Sequence, residues 1–85
     1  MKVIMIGALM CPTCNRIKPK IEGYCRDNNV VFNYYILGIN TPRDILSIIN
    51  AYHVKKFPTF IIYKDNEDIV VLTGDDIFLE LEFLK

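Results

Sequence analysis

Three thiols, Cys11, Cys14 and Cys25, are the residues of this 85-residue chain best suited to chemistry, and two of them are spaced C-x-x-C in Cys11-Pro12-Thr13-Cys14. On the first turn of a helix that spacing brings two sulfurs close enough to bond, which suits thiol–disulfide exchange. The same pair is also half of a zinc site, but structural zinc normally takes four Cys or His ligands. Only Cys25 and His53 remain as further candidates, and there is no second C-x-x-C. An odd, low cysteine count does not suggest a secreted disulfide framework. Redox chemistry is the leading reading; metal binding and an inert pair of core thiols are the alternatives.

The flanking residues say how the pair is held. Pro12 pushes Cys11 toward an extended backbone and itself suits the first helical position. Cys11 then falls at the N-cap and Cys14 at N3. An N-cap thiolate can accept hydrogen bonds from the free N–H groups of Thr13 and Cys14, and the positive end of the helix favours its charge. Cys11 is therefore expected to titrate below the free-thiol value of ~8.5 and to be the attacking sulfur. Cys14 is expected to be the less exposed, resolving sulfur. Cys25 shares a helix face with Ile17, Ile21 and Tyr24 and reads as core.

The elements that must position this pair follow from periodicity and breakers. Val3–Ile6 reads as a buried strand ended by Gly7, and Pro12–Arg26 as an amphipathic helix. Val30–Leu37, rich in β-branched and aromatic residues, reads as a strand broken by Gly38 and Asn40. Thr41 is expected as the N-cap of a second helix, with Pro42 at N1, Asp44 at N3, and Ile45, Ile48, Ile49 and Tyr52 on its apolar face. Thr59–Tyr63 and Ile69–Thr73 read as strands around a polar turn at Lys64–Asp68. Gly74 and Asp75 open a last helix carrying Ile77, Leu81 and Leu84. The order β-α-β-α-β-β-α predicts one domain over residues 1–85, an α/β fold with a mixed four-stranded sheet covered by helices. The first strands, joined by helical crossovers, are expected parallel and the last two antiparallel.

Bulk composition narrows the partners. Hydrophobic residues make up 52% and charged residues 24%, which argues for a packed domain rather than disorder. Ten basic and ten acidic residues cancel, so neither nucleic acid nor an anionic membrane is expected as a partner. The apolar run Val3–Met10 is short for a signal h-region, and no small-residue cleavage site follows it. A soluble, cytoplasmic monomer is expected.

The motif, its place between strand and helix, and two later anchors resemble the thioredoxin superfamily across nearly the whole chain. The later anchors are Phe57-Pro58-Thr59 leading into the third strand and Gly74 after the fourth; Pro19 also sits where thioredoxins place a proline in the first helix. The resemblance implies a three-layer thioredoxin-like fold and a redox-active Cys11–Cys14 disulfide. It also implies a cis bond before Pro58, with Pro12, Thr13, Phe57, Pro58 and Thr59 beside the substrate. The implied activity is a cytoplasmic dithiol reductase of protein disulfides, with thioredoxin reductase or glutathione as electron donor and no tightly bound cofactor.

Two branches of that superfamily compete. Gly74-Asp75-Asp76 resembles the glutaredoxin segment that binds the γ-glutamyl end of glutathione, and helix-start N–H groups suit a carboxylate. Thr13 stands where glutaredoxins usually carry Tyr, and no basic residue lies shortly before Cys11. Phe57-Pro58-Thr59-Phe60 is closer to thioredoxin, yet the chain has no Trp. Met5, six residues before Cys11, replaces the buried acid of thioredoxins, so proton transfer at the resolving thiol must use water or another group. Ala8, Leu9, Met10 and Phe57 around the motif suggest a surface for protein substrates. A binding module without turnover and a metal or redox sensor are the readings from other classes.

Other residues are read as structural. His53, Lys55 and Lys56 complement the C-terminal end of the second helix, with Lys56 a candidate to meet a substrate carboxylate. Lys18 and Lys20 are read as solvated, and the five tyrosines mostly as packing.

Overall fold

A computed structural model describes residues 1–74 and 76–78. It contains β1 (Lys2–Gly7), α1 (Pro12–Asp27), β2 (Val31–Ile36), α2 (Arg43–Ala51), β3 (Thr59–Tyr63) and β4 (Ile69–Thr73), followed by helical backbone at residues 76–78. The expected positions Asp75, Leu81 and Leu84 lie outside the described residues.

The sheet runs in the order β2-β1-β3-β4. β1 pairs with β2 in parallel, with Met5 opposite Tyr34, and with β3 antiparallel, with Ile6 opposite Thr59. β3 and β4 form the expected antiparallel hairpin. Parallel pairing therefore stops at β1 and β2, and the expectation that β3 would join them is corrected. α2 has nine residues, about 14 Å of helix. The chain leaves β2 opposite Gly7 and enters β3 opposite Ile6, so the connection starts and finishes at one end of the sheet. A strand entered from that end must run the other way.

The period-two pattern of β1 and β3 splits the core into two clusters, one on each face of the sheet. Val3, Met5, Phe60 and Ile62 pack with Cys14, Ile17, Ile21 and Cys25 of α1 and with Ile77. Ile4, Ile6 and Ile61 pack with Ile45 and Ile49 of α2. This is the three-layer arrangement: α1 on one face, α2 on the other, and two central strands buried on both sides.

The helix ends differ in how well the sequence announced them. α1 begins as expected. α2 begins one residue later than expected: Pro42 is its N-cap, extended at φ −63° and ψ 157°, and the Pro42 carbonyl accepts the first helical bond from the Leu46 N–H at 3.0 Å. Thr41 is not the cap, because its hydroxyl donates to the Ile36 carbonyl at 3.1 Å and closes the loop after β2. Tyr52 is the C-cap and 53% exposed, so it does not share the buried face of Ile45 and Ile49. His53 follows in the left-handed region at φ 54°, where the chain turns back and the Val54 N–H reaches the Ile49 carbonyl. Gly7 does not end β1 by breaking it; it is the strand's last, buried residue, paired with Ile36.

Candidate active site

The carboxyl end of β1 delivers the chain to the start of α1 through Ala8, Leu9 and Met10. Met10 is left-handed at φ 55°, and its side chain is 98% exposed. Leu9 is exposed as well. Two large apolar side chains thus stand in solvent immediately before Cys11.

Cys11 is the N-cap of α1, extended at φ −108° and ψ 98°, with Pro12 behind it in the first turn. Its sulfur accepts a hydrogen bond from the Cys14 backbone N–H at 3.2 Å. Its carbonyl accepts the first helical bond from Asn15 at 3.2 Å. No acidic side chain occupies the first turn of α1, so nothing there competes with a negative charge on the cap sulfur. Cys11 and Cys14 are joined in a disulfide with their Cα atoms 5.3 Å apart. Cys14 is 1% exposed while Cys11 is half-buried, so Cys11 is the more accessible sulfur.

The second part of the site comes from the start of β3. The Phe57–Pro58 peptide bond is cis. The β1–β3 register sets Ile6 opposite Thr59, so Pro58 lies at the same end of the sheet as Gly7 and the turn into Cys11. Phe57 is half-buried and packs against both core clusters, and Pro58 is buried. Thr59 is fully buried, and its hydroxyl donates to the Lys56 carbonyl at 2.7 Å. That bond commits the Thr59 side chain to shaping the loop from inside. Gly74 is left-handed at φ 60°, a conformation glycine adopts without steric cost, and its N–H donates to the Pro58 carbonyl at 2.8 Å. The structure therefore brings Gly74 to the Pro58 loop, as it brings Cys11 and Cys14 to one end of α1. Pro12 is exposed and Thr13 partly so. Asp75, expected beside Gly74, is outside the described residues.

Cys25 does not join the pair. It is a free thiol, 1% exposed in the α1 cluster, and burial pushes it from 9.0 up to about 11. Among the described residues no group of three or more His, Cys, Asp or Glu side chains is placed to hold a metal ion. Nor is any described helix long and apolar enough to cross a membrane.

One neighbour of the pair was not singled out in the sequence. Tyr34 of β2 lies on the α1 face beside Met5, and the Lys18 ammonium stands 5.2 Å from its ring centroid while pairing with Glu22 at 3.0 Å. Only the register of β1 on β2 reveals that this tyrosine faces the cysteine pair, and a single sequence does not supply that register.

No protein-family model matches the chain, and no curated protein matches it in sequence. Its structure is similar to solved thioredoxins. For Fasciola hepatica thioredoxin the TM-score is 0.70 at 24% identity, covering 98% of this chain and 77% of that one. For mitochondrial thioredoxin 3 of Saccharomyces cerevisiae it is 0.67 at 23% identity, covering 95% and 74%. A chain from a complex of ferredoxin:thioredoxin reductase and thioredoxin f2 gives 0.67 at 22% identity, covering 98% and 76%.

Proposed function

On a thioredoxin fold that sets two bonded sulfurs at the start of its first helix, we propose that this chain is a thiol–disulfide oxidoreductase that reduces disulfides of protein substrates. The observation that carries the reading is the N-cap position of Cys11, with the Cys14 N–H directed at its sulfur. In the reduced protein the same donor and the helix N-terminus favour a Cys11 thiolate. That thiolate attacks a substrate disulfide, one substrate sulfur leaves as thiolate, and a mixed disulfide forms. Cys14 then attacks the Cys11 sulfur, the second substrate thiol is released, and the Cys11–Cys14 disulfide closes. Two electrons pass from the pair to the substrate.

Exposed Leu9 and Met10 beside Cys11 support a protein substrate, since apolar side chains around a reactive sulfur suit a polypeptide surface. Pro12, Thr13, Phe57, Pro58, Thr59 and Gly74 are proposed to frame the substrate, Thr59 through the loop shape it holds, and Asp75 is proposed to extend that frame. The proposed electron donor is a thioredoxin reductase; a similar structure contains ferredoxin:thioredoxin reductase with thioredoxin f2. Glutathione is the alternative donor. The proposed working form is a cytoplasmic monomer without a tightly bound cofactor.

Insulin-disulfide reduction tests this in three arms: dithiothreitol, NADPH with thioredoxin reductase, and NADPH with glutathione and glutathione reductase. Turnover that disappears in Cys11→Ser is expected, and the enzyme-coupled arm that works names the donor. No turnover in any arm, with the protein folded and both thiols free, would favour a binding module or a metal sensor.

A further inference from the structure

We propose that the Tyr34 hydroxyl is the hydrogen-bond donor that stabilises the Cys14 thiolate as that sulfur resolves a mixed disulfide. The inference rests on the thiol–disulfide reading above and assigns a group to a step that the sequence left without one.

Gly7 marks the place. It is buried at the end of β1, in phase with Val3 and Met5 on the α1 face. A Cβ at Gly7 would lie 2.7 Å from the Tyr34 hydroxyl oxygen, 3.3 Å from Tyr34 Cε2 and 3.3 Å from Cys14 Sγ. Oxygen and sulfur therefore converge on the one spot that the absent side chain leaves open. Measured from that shared point they are at most about 6 Å apart, a span that one bridging water covers. Among the described residues no hydrogen bond of the disulfide form engages the Tyr34 hydroxyl.

The surroundings leave few other donors. Cys14 lies in a cluster whose other members are Val3, Met5, Ile17, Ile21, Cys25, Phe60, Ile62 and Ile77. Burial of this kind disfavours a thiolate. Among the described residues the titratable or charged groups on that cluster are Cys11 and, on α1, Tyr24 and Lys18, which pairs with Glu22; on β2 there is Tyr34, and the facing residues of β1 and β3 are uncharged. Cys25, farther along α1, is held as a neutral thiol. Met5, opposite Tyr34, supplies neither acid nor donor. A neutral phenol is a donor at neutral pH and can satisfy a thiolate without becoming charged itself.

The step balances without a further reagent. The Cys14 thiol gives its proton to water. Its thiolate attacks Cys11 Sγ, the Cys11–Cys14 bond forms, and the bond from Cys11 to the substrate sulfur breaks. The electron pair leaves on the substrate sulfur, which takes a proton from water. Tyr34 keeps its own proton and acts on the reacting sulfur through the hydrogen bond. Gly7 is the positioning residue that lets the two groups meet.

The test is Tyr34→Phe, which keeps the ring and removes only the oxygen. Reduced protein is mixed rapidly with 5,5′-dithiobis(2-nitrobenzoate). Attack by Cys11 releases one thionitrobenzoate, and attack by Cys14 releases a second. In the variant the first release is expected unchanged, the second about tenfold slower at neutral pH, and its pH midpoint about one unit higher. A second release within twofold of wild type with the same midpoint would overturn the assignment. Equal slowing of both releases would indicate a structural role and would overturn it too. If wild type itself releases only one thionitrobenzoate, the thiol–disulfide reading fails first and this inference with it.

Discussion

Cys25 offers a test of the core whose direction follows from burial. The thiol is 1% exposed on the α1 face, and burial raises it from 9.0 to about 11. The fold thus holds the neutral thiol and disfavours the thiolate. Below pH 9 both folded and unfolded chains carry the proton, and the group adds no pH dependence. Between 9 and 11 the unfolded chain has lost the proton while the folded chain keeps it, so stability falls as pH rises. From pH 8 to pH 10 the loss is on the order of 1 kcal/mol. The perturbation is Cys25→Ala, compared with wild type in urea at both pH values. Both proteins are kept in the Cys11–Cys14 disulfide form, so no other thiol titrates. Tyr63, whose phenol is pushed up by burial and by Asp44, titrates in both proteins and cancels in the difference. The advantage of Cys25 over Ala should shrink by about 1 kcal/mol between pH 8 and pH 10. A difference independent of pH would refute the claim that the fold holds this thiol neutral.

Ile61 is fully buried on the central strand β3 against Ile45 and Ile49, so Ile61→Ala should cost about 2–5 kcal/mol, read as a lower denaturation midpoint with an unchanged m-value. Gly7→Ala would set a methyl 2.7 Å from the Tyr34 oxygen and 3.3 Å from Cys14 Sγ; overpacking there should cost about 1–3 kcal/mol, and Tyr34→Phe in the same chain should recover part of it. Cys11→Ser keeps an oxygen acceptor for the Cys14 N–H, whereas Cys11→Ala leaves that donor without its cap, so the serine variant should be the more stable by about 1 kcal/mol in thermal or urea unfolding.

Much of the site was legible because local chemistry determines it. A proline at the first helical position and a cysteine before it are enough to place Cys11 at the N-cap, and Cys14 follows one turn on. The hairpin of β3 and β4 was legible from two β-rich runs around Lys64–Asp68, where Asn66 bonds Asp68 within the turn. The direction of β3 was not, because it depends on where the chain returns after α2 rather than on any residue in the strand. Thr41 has the residue type of a cap, but its hydroxyl has a tertiary alternative, the Ile36 carbonyl, that only the folded loop presents. In the sequence Tyr34 looks like packing and Gly7 like a strand breaker for the same reason. Their meeting with Cys14 is set by the register of β1 on β2 and by the packing of α1, not by spacing in the chain.

The central claim, that an N-cap sulfur is the nucleophile, is tested most directly by the pH dependence of iodoacetamide alkylation of the reduced protein, with the labelled cysteine identified by peptide mapping. The account predicts one fast label, on Cys11, with a rate midpoint below the free-thiol value of ~8.5. A midpoint at or above that value, or first labelling at Cys14 or Cys25, would contradict it.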